Sequence, residues 1–176
     1  MSQKVYIESD NHFSHENFLT FKDHNDELIR KFDTAHEMDE LMIENHNKTV
    51  RPQDKTYFLG DLCFDKKRME QIMPRLNGSK VLILGNHDKL KTREYLKYFK
   101  DVRSSHRLCG RDIILSHIPL HPYIFERIKL NVHGHMHSYN ILIDGVPDPR
   151  YFNVCVEQHN YTPVCLDQII AHMEKL

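Results

Sequence analysis

Five short apolar segments of the sequence each end close to a side chain that can bind a metal ion. The segments are Val5–Ile7, Thr56–Leu59, Val81–Leu84, Ile113–Leu115 and Leu130–Val132. Apolar segments of this length, bounded by turn-forming residues, are typical of buried strands. In open α/β sheets, ligands bind outside the carboxyl ends of the strands. We therefore expect the polar side chains that follow these segments to meet at one sheet edge; they are Asp10, Asp61, Asn86, His117 and the histidines of 133–137.

Helix signals lie between the predicted strands and indicate an α/β fold. Thr34 and Glu37 have the spacing of a capping box and predict a helix with Met38, Leu41 and Met42 on one face. Shorter helices are predicted over 66–76 and 92–99, and a last helix over 166–173. Two further strands are predicted over 140–143 and 151–156.

The composition predicts one soluble domain that spans residues 1–176. The chain is 40% hydrophobic and 28% charged, and its net charge of -1 disfavours a globally basic nucleic-acid binder. Val81–Leu84 is the longest clean apolar stretch, far short of a membrane span, and the N-terminus has no apolar signal core. We therefore expect no membrane association and no secretion.

The four cysteines are too far apart for a zinc ribbon or a disulfide framework, which favours a reducing cytoplasm. They are Cys63, Cys109, Cys155 and Cys165. We expect Cys63 and Cys155 to be packed near strand ends and unreactive.

Histidine is over-represented, with 14 residues in the chain, and it is the commonest metal ligand. Asp10-x-His12 and Gly60-Asp61 alone have a simpler explanation as turns, whereas Gly85–Asp88 and the histidines of 133–137 are more specific. Together the motifs offer carboxylate, amide and imidazole ligands and no thiolate. This mixture suits manganese, iron or zinc. Seven ligands are too many for one tetrahedral ion and suit two ions that share a carboxylate, about 3.5–4 Å apart as in hydrolases.

The chain resembles the calcineurin-like metallophosphoesterases in five motifs that occur in the family's order. They are Asp10-x-His12, Gly60-Asp61, Gly85-Asn86-His87-Asp88, Ser116-His117 and Gly134-His135-x-His137. The segments 10–15 and 153–163 also resemble a small bacterial and phage branch of that family. The resemblance implies a four-layer α-β-β-α sandwich with two divalent metal ions, Mn²⁺ above all and otherwise Fe, Zn or Ni.

The resemblance also implies a role for each motif residue. Asp10, His12 and His137 would hold the first ion; Asn86, His117 and His135 would hold the second; Asp61 would bridge them. A hydroxide between the ions would attack phosphorus. His87 would face the phosphate as an acid or a hydrogen-bond donor, and Asp88 would fix its tautomer. His15 either reaches the site or caps the following helix.

These observations predict a phosphoesterase whose substrate is a phosphate ester, for example a nucleotide or an oligonucleotide. A diester is favoured because the short chain leaves little room for a domain that would enclose a monoester. The alternatives are a non-catalytic metal-binding interaction module on the same fold and a nuclease. No obligate protein partner is indicated. Residues 89–111 carry eight basic side chains and two acidic ones, and we interpret them as a solvated helix face rather than a positive substrate wall.

Overall fold

Residues 2–108 and 110–176, which the computed structural model describes, form a mixed α/β fold. The strands are β1 (Val5–Glu8), β2 (Lys55–Phe58), β3 (Ser79–Ile83), β4 (Asp101–Arg103), β5 (Ser105–Arg107), β6 (Ile113–Ser116), β7 (Leu130–His133), β8 (Leu142–Ile143), β9 (Val146–Pro147), β10 (Tyr151–Asn153) and β11 (Val164–Cys165). The α-helices are α1 (Ala35–Thr49), α2 (Lys66–Ile72), α3 (Thr92–Tyr95) and α4 (Leu166–Met173). Glu16–Thr20, Met73–Arg75, Pro122–Glu126 and Val156–His159 are 3₁₀-helices.

The larger strands form two mostly parallel sheets. The first has the order β11-β1-β2-β3-β4 and the second the order β10-β7-β6-β5. In the first sheet only β11 is antiparallel to its neighbour, and in the second only β5 is. Strands β8 and β9 form a separate antiparallel hairpin. The prediction of a mixed α/β fold is thus confirmed.

The core has two parts, which lie on opposite faces of the first sheet. Successive strand side chains point to opposite faces, so Phe58 packs with Met38 and Met42 of α1, whereas Tyr57 and Leu59 pack with the second sheet. All of these side chains are buried. Burial of one large apolar side chain stabilises the fold by about 1.5–3 kcal/mol, and burial on both faces explains why these strands are apolar without alternation.

The helices agree with the sequence prediction in position, but two of them are shorter. Thr34 caps α1 by accepting a hydrogen bond from the Glu37 N–H, while the Glu37 carboxylate accepts one from the N–H of Asp33 rather than Thr34. The segment 66–76 ends as a 3₁₀-turn at Pro74, and 92–99 contains a single helical turn. No helix within the described ranges is both long and apolar enough to cross a membrane.

The interpretation of 89–111 as a helix face holds only for the single turn of α3 and is wrong for the residues that follow it. Its second half contains β4 and β5, which lie in two different sheets. Several of its cations have acidic partners: Lys97 pairs with Glu94 at 2.7 Å and Arg103 with Asp101 at 2.6 Å. Both strands have only three residues, and their mixed polar sequences lack the apolar pattern by which the other strands were recognised.

The two sheets meet at the edge where the parallel strands end. The strands are in register there, with Glu8 beside Phe58 and Ser116 beside His133. A bridge between Ser9 and Cys155 joins the two sheets at this edge, and the Val156 N–H donates to the Ser9 carbonyl at 3.1 Å. The loops that follow the strands therefore emerge side by side.

Candidate metal centre

The first group of potential metal ligands consists of Asp10, His12 and His137, whose ligand atoms all lie within 4.8 Å of one another. The Asp10 Oδ1 atom is 3.9 Å from His12 Nε2 and 3.7 Å from His137 Nε2. Asp10 Oδ1 and His12 Nε2 are buried without a hydrogen-bond partner. An unsatisfied buried polar atom costs about 1–3 kcal/mol, and a cation among these atoms would remove that cost.

The second group consists of Asp61, His117 and His135, within the same mutual distance. The His117 Nδ1 lies 2.7 Å from the Leu59 carbonyl, which can only accept, so Nδ1 carries a hydrogen. This contact directs Nε2 towards Asn86 Oδ1 at 2.8 Å and Asp61 Oδ2 at 3.4 Å. Each group takes ligands from loops of both sheets.

Asp61 lies between the two groups. Its Oδ2 atom is 3.4 Å from His117 Nε2 in the second group and 3.8 Å from His12 Nε2 in the first. Its Oδ1 atom accepts a hydrogen bond from the His87 N–H at 2.8 Å. One carboxylate is therefore placed to contact cations in both groups.

The charges of the centre favour cations. Burial alone would raise the pKa of Asp61, but the hydrogen bond and charge of His117 lower it to about 2. Burial would lower the pKa values of His137 and His117, but a neighbouring carboxylate raises each of them. Glu157 acts on His137, and Asp61 acts on His117. Burial, together with the charge of Arg30, lowers the pKa of His12 to about 2, which keeps this imidazole neutral as metal binding requires. The donor set thus fits divalent metal ions.

Several of these ligands have a backbone that is rare for residues other than glycine. The φ angle is positive at five of them, which are Asp10, His12, Asp61, His135 and His137. Such a conformation costs on the order of 1–3 kcal/mol per residue and accumulates at functional sites. All five residues lie within four residues of the end of a strand.

Two motif glycines allow the loops to approach closely. A Cβ atom at Gly85 would overlap the Asp61 carboxylate, and one at Gly134 would overlap Ser9 Oγ and Asp10 Oδ2. Asp10 Oδ2 in turn accepts hydrogen bonds from Ser9 Oγ at 2.6 Å and the His135 N–H at 2.8 Å. The carboxylate is fixed, with its other oxygen facing the histidines.

Sequence reasoning missed the buried pair Arg30 and Glu157. Glu157 Oε1 lies 3.1 Å from His137 Nδ1 and 2.7 Å from Arg30 Nη2. Carboxylates on the far nitrogen of a metal-binding histidine fix its ring orientation. Arg30 is fully buried and also donates to the carbonyls of Asp10 and Asn11. Glu157 falls in the segment 153–163 noted above, whereas no sequence signal marked Arg30.

Asp88 has a different role from the one expected. Its carboxylate accepts hydrogen bonds from the backbone N–H groups of Asp61, Leu62 and Gly85, at 2.9, 3.3 and 2.8 Å. It therefore joins two ligand-bearing loops rather than fixing the tautomer of His87. The His87 ring is 44% exposed, with Nε2 at 4.0 Å from Asp61 Oδ2.

An open cavity of about 460 Å³ lies over the centre. Its lining consists of His12, His15, Phe18, Phe21, Ile29, Asp61, Phe64, His87, His135 and His137. His15 reaches the site and makes no side-chain cap for the 3₁₀-helix that follows. The described residues of the segment 89–111 contribute nothing to this lining, which disfavours the positive-wall interpretation.

The three cysteines that the structure describes are free, and Cys109 lies outside the described residues. Burial raises the pKa of Cys63 to about 12 and raises that of Cys155 as well. The Cys155 thiol donates to Asp10 Oδ2 at 3.3 Å. Both thiols are protonated in this arrangement, and Cys155 helps to hold the first group.

Comparison with known proteins gives relatives without an assigned activity. No family model matches the chain. It is 34% identical to "Uncharacterized protein MJ1445" of Methanocaldococcus jannaschii, over 98% of this chain and 93% of the relative. Among solved structures it is similar to the protein of unknown function AQ665 from Aquifex aeolicus, with a TM-score of 0.71, 26% identity, and coverage of 97% and 99% of the two chains.

Proposed function

The chain belongs to the same family as MJ1445, and because that name records no activity, we propose from the metal centre that this protein is a metal-dependent hydrolase of phosphate esters. A phosphodiester is the favoured substrate. The proposal includes membership of the calcineurin-like metallophosphoesterases and their four-layer α-β-β-α sandwich. The resemblance of the five motifs supports it, since their residues lie together at one edge.

One observation carries the proposal: the Asp61 carboxylate lies between two groups of potential ligands. Asp10, His12 and His137 would hold one divalent ion, and Asn86, His117 and His135 the other. When bound, such a pair of ions supplies Lewis-acid activation of water and of phosphoryl oxygens. Four of these ligands, His12, Asp61, His135 and His137, line an open cavity, as in catalytic rather than structural metal sites.

The chain's own residues would orient the substrate and move a proton. His87 lines the cavity from a partly exposed position beside Asp61, where its ring can donate to a phosphoryl or leaving oxygen. Asp61 Oδ1 accepts from the His87 N–H and so fixes that loop. Glu157 and Arg30 hold His137 and the Asp10 loop in place.

The first experiment compares a diester with a monoester. Metal-stripped protein is refilled with Mn²⁺, its metal content is measured, and it is given bis-p-nitrophenyl phosphate beside p-nitrophenyl phosphate. We expect about two ions per chain and metal-dependent cleavage in which the diester reacts faster. Two bound ions without turnover of either ester, in Mn²⁺, Ni²⁺, Zn²⁺ or Fe²⁺, would favour a metal-binding interaction module instead.

His87 is tested by the dependence of rate on the leaving group. We expect His87→Asn to lower kcat by about 10²–10⁴-fold for an alkyl ester, because an alkoxide needs a proton as it leaves. The loss should be far smaller for p-nitrophenoxide, which leaves readily as an anion. Equal losses for both leaving groups would contradict the acid role and leave His87 as a hydrogen-bond donor. His36→Asn is the control, since His36 is an exposed residue of α1.

A further inference from the structure

Two exposed phenylalanines flank the cavity over the metal centre. Phe21 is 43% exposed and Phe64 42% exposed, and both contribute to the cavity lining. The Phe64 ring centre is 5.3 Å from that of His87 and 4.3 Å from that of His15. The Phe21 ring centre is 5.8 Å from that of His15. A single exposed apolar side chain needs no explanation, but two exposed aromatic rings in the lining of one cavity form an apolar wall of the kind that is typical of ligand sites.

The backbone at both phenylalanines is fixed by contacts with neighbouring segments. Phe64 lies between Cys63, which bridges to Phe13, and Asp65, whose side chain caps α2. The Phe21 carbonyl accepts a hydrogen bond from the Ile29 N–H at 2.9 Å. Beneath them, Phe18 is buried against the rings of His12 and His137. Phe18 thus has a packing role, whereas Phe21 and Phe64 present free ring surface to the cavity.

The cavity is also poor in cations. Neither lysine nor arginine occurs among the described residues that line it. Arg30, which lies behind Phe18 with its guanidinium 4.2 Å from the ring centre, is buried and paired with Glu157. Proteins that bind polyphosphates or terminal phosphates usually clamp the extra charge with arginine or lysine. A substrate with a single phosphate charge and an apolar group suits this wall better.

We propose that the site takes a phosphodiester with a planar aromatic group, such as a nucleobase or an aryl ring, which packs against the exposed rings of Phe64 and Phe21. This inference rests on the proposed function and names its substrate class. In the reaction, a water oxygen forms a bond to phosphorus and the P–O bond to one organic group breaks. The leaving oxygen takes up a proton, and the other product is a monoester. Because Phe64 adjoins His87, it is a specificity-determining residue on the leaving-group side.

The test separates ring binding from the chemical step. Diphenyl phosphate and dimethyl phosphate, which share the phosphate diester and differ in the rings, are titrated calorimetrically into the Mn²⁺-loaded protein. In parallel, kcat/KM is measured for bis-p-nitrophenyl phosphate and for methyl p-nitrophenyl phosphate. Stacking of one ring on an aromatic side chain is expected to favour the aromatic partner of each pair by about tenfold or more.

Variants of Phe64 test whether this side chain causes the preference for the aromatic diester. Phe64→Ala should lower affinity for diphenyl phosphate by about tenfold, and Phe64→Leu should retain only part of that affinity. Neither change should alter binding of dimethyl phosphate. Leu142→Ala is the matched control, because Leu142 is an exposed apolar residue of the β8–β9 hairpin and its loss should change nothing.

Each remaining outcome counts against one of the two proposals. If the protein hydrolyses esters but binds diphenyl phosphate and dimethyl phosphate equally well, the aromatic substrate class is overturned and the hydrolase proposal stands. The same holds if Phe64→Ala lowers the affinity for both diesters equally. Preferential binding of diphenyl phosphate without turnover of any ester would support the aromatic site and overturn the hydrolase proposal.

Discussion

Replacement of Asp61 by asparagine is expected to abolish hydrolysis while the protein remains folded. Its Oδ2 atom faces His12 in one ligand group and His117 in the other, so the substitution removes the one negative charge shared by both. We expect kcat/KM to fall by at least about 10³-fold, or about 4 kcal/mol of transition-state stabilisation. Metal content should fall below two ions per chain. Steady-state kinetics and elemental analysis measure both effects.

Asp144→Asn is a matched control for this variant. Asp61 and Asp144 both have a positive φ, a conformation that asparagine also tolerates well. Neither substitution should therefore strain the backbone, and both proteins should remain folded in the absence of metal. Full activity in Asp61→Asn would refute the bridging role and, with it, the two-metal assignment.

Replacement of Arg30 by methionine should cause the largest loss of stability. The change removes a fully buried cation that pairs with Glu157 and donates to the Asp10 and Asn11 carbonyls. Loss of one partner from a buried ion pair costs about 3–5 kcal/mol, because the other charge remains buried. Urea denaturation in the absence of metal should show this decrease in the free energy of unfolding.

A control variant and a double variant test whether the broken ion pair causes this loss of stability. Arg75→Met breaks the exposed Arg75–Glu40 pair and should cost less than about 1 kcal/mol. In the Arg30→Met background, the additional change Glu157→Gln should cost far less than it does in the wild type, since the unpaired charge is then removed. Strictly additive losses would contradict direct coupling between the two residues.

The sequence predicted both the fold and the site where an apolar segment is followed by a polar residue. The apolar segments before Asp10, Asp61 and His117 predict strands, and the polar residues after them predict the edge at which the ligands meet. The register of β6 and β7, with Ser116 beside His133, places the ends of these strands side by side as this pattern predicts. Strands β4 and β5 were missed because their pairing depends on tertiary contacts rather than on an apolar pattern.

Residues that act through another residue were the ones that sequence reasoning could not assign. Arg30 is far from Glu157 along the chain, and a single arginine in a polar loop resembles any solvated cation until the fold buries it. Asp88 was placed in the correct motif, but its carboxylate accepts hydrogen bonds both from its own loop and from the distant loop of Asp61. Such roles depend on where loops pass, and residue spacing carries no information about that.

Each of the two ligand groups contains residues from loops of both sheets, and this affects the folding stability of the protein. A bound ion would act as a reversible crosslink between the two sheets, and one that forms only in the folded chain. Folding stability would then increase with free metal concentration, by RT ln(1 + [M]/Kd) for each ion. Metal supply would in this way set how long the chain resists unfolding and proteolysis, before any substrate arrives.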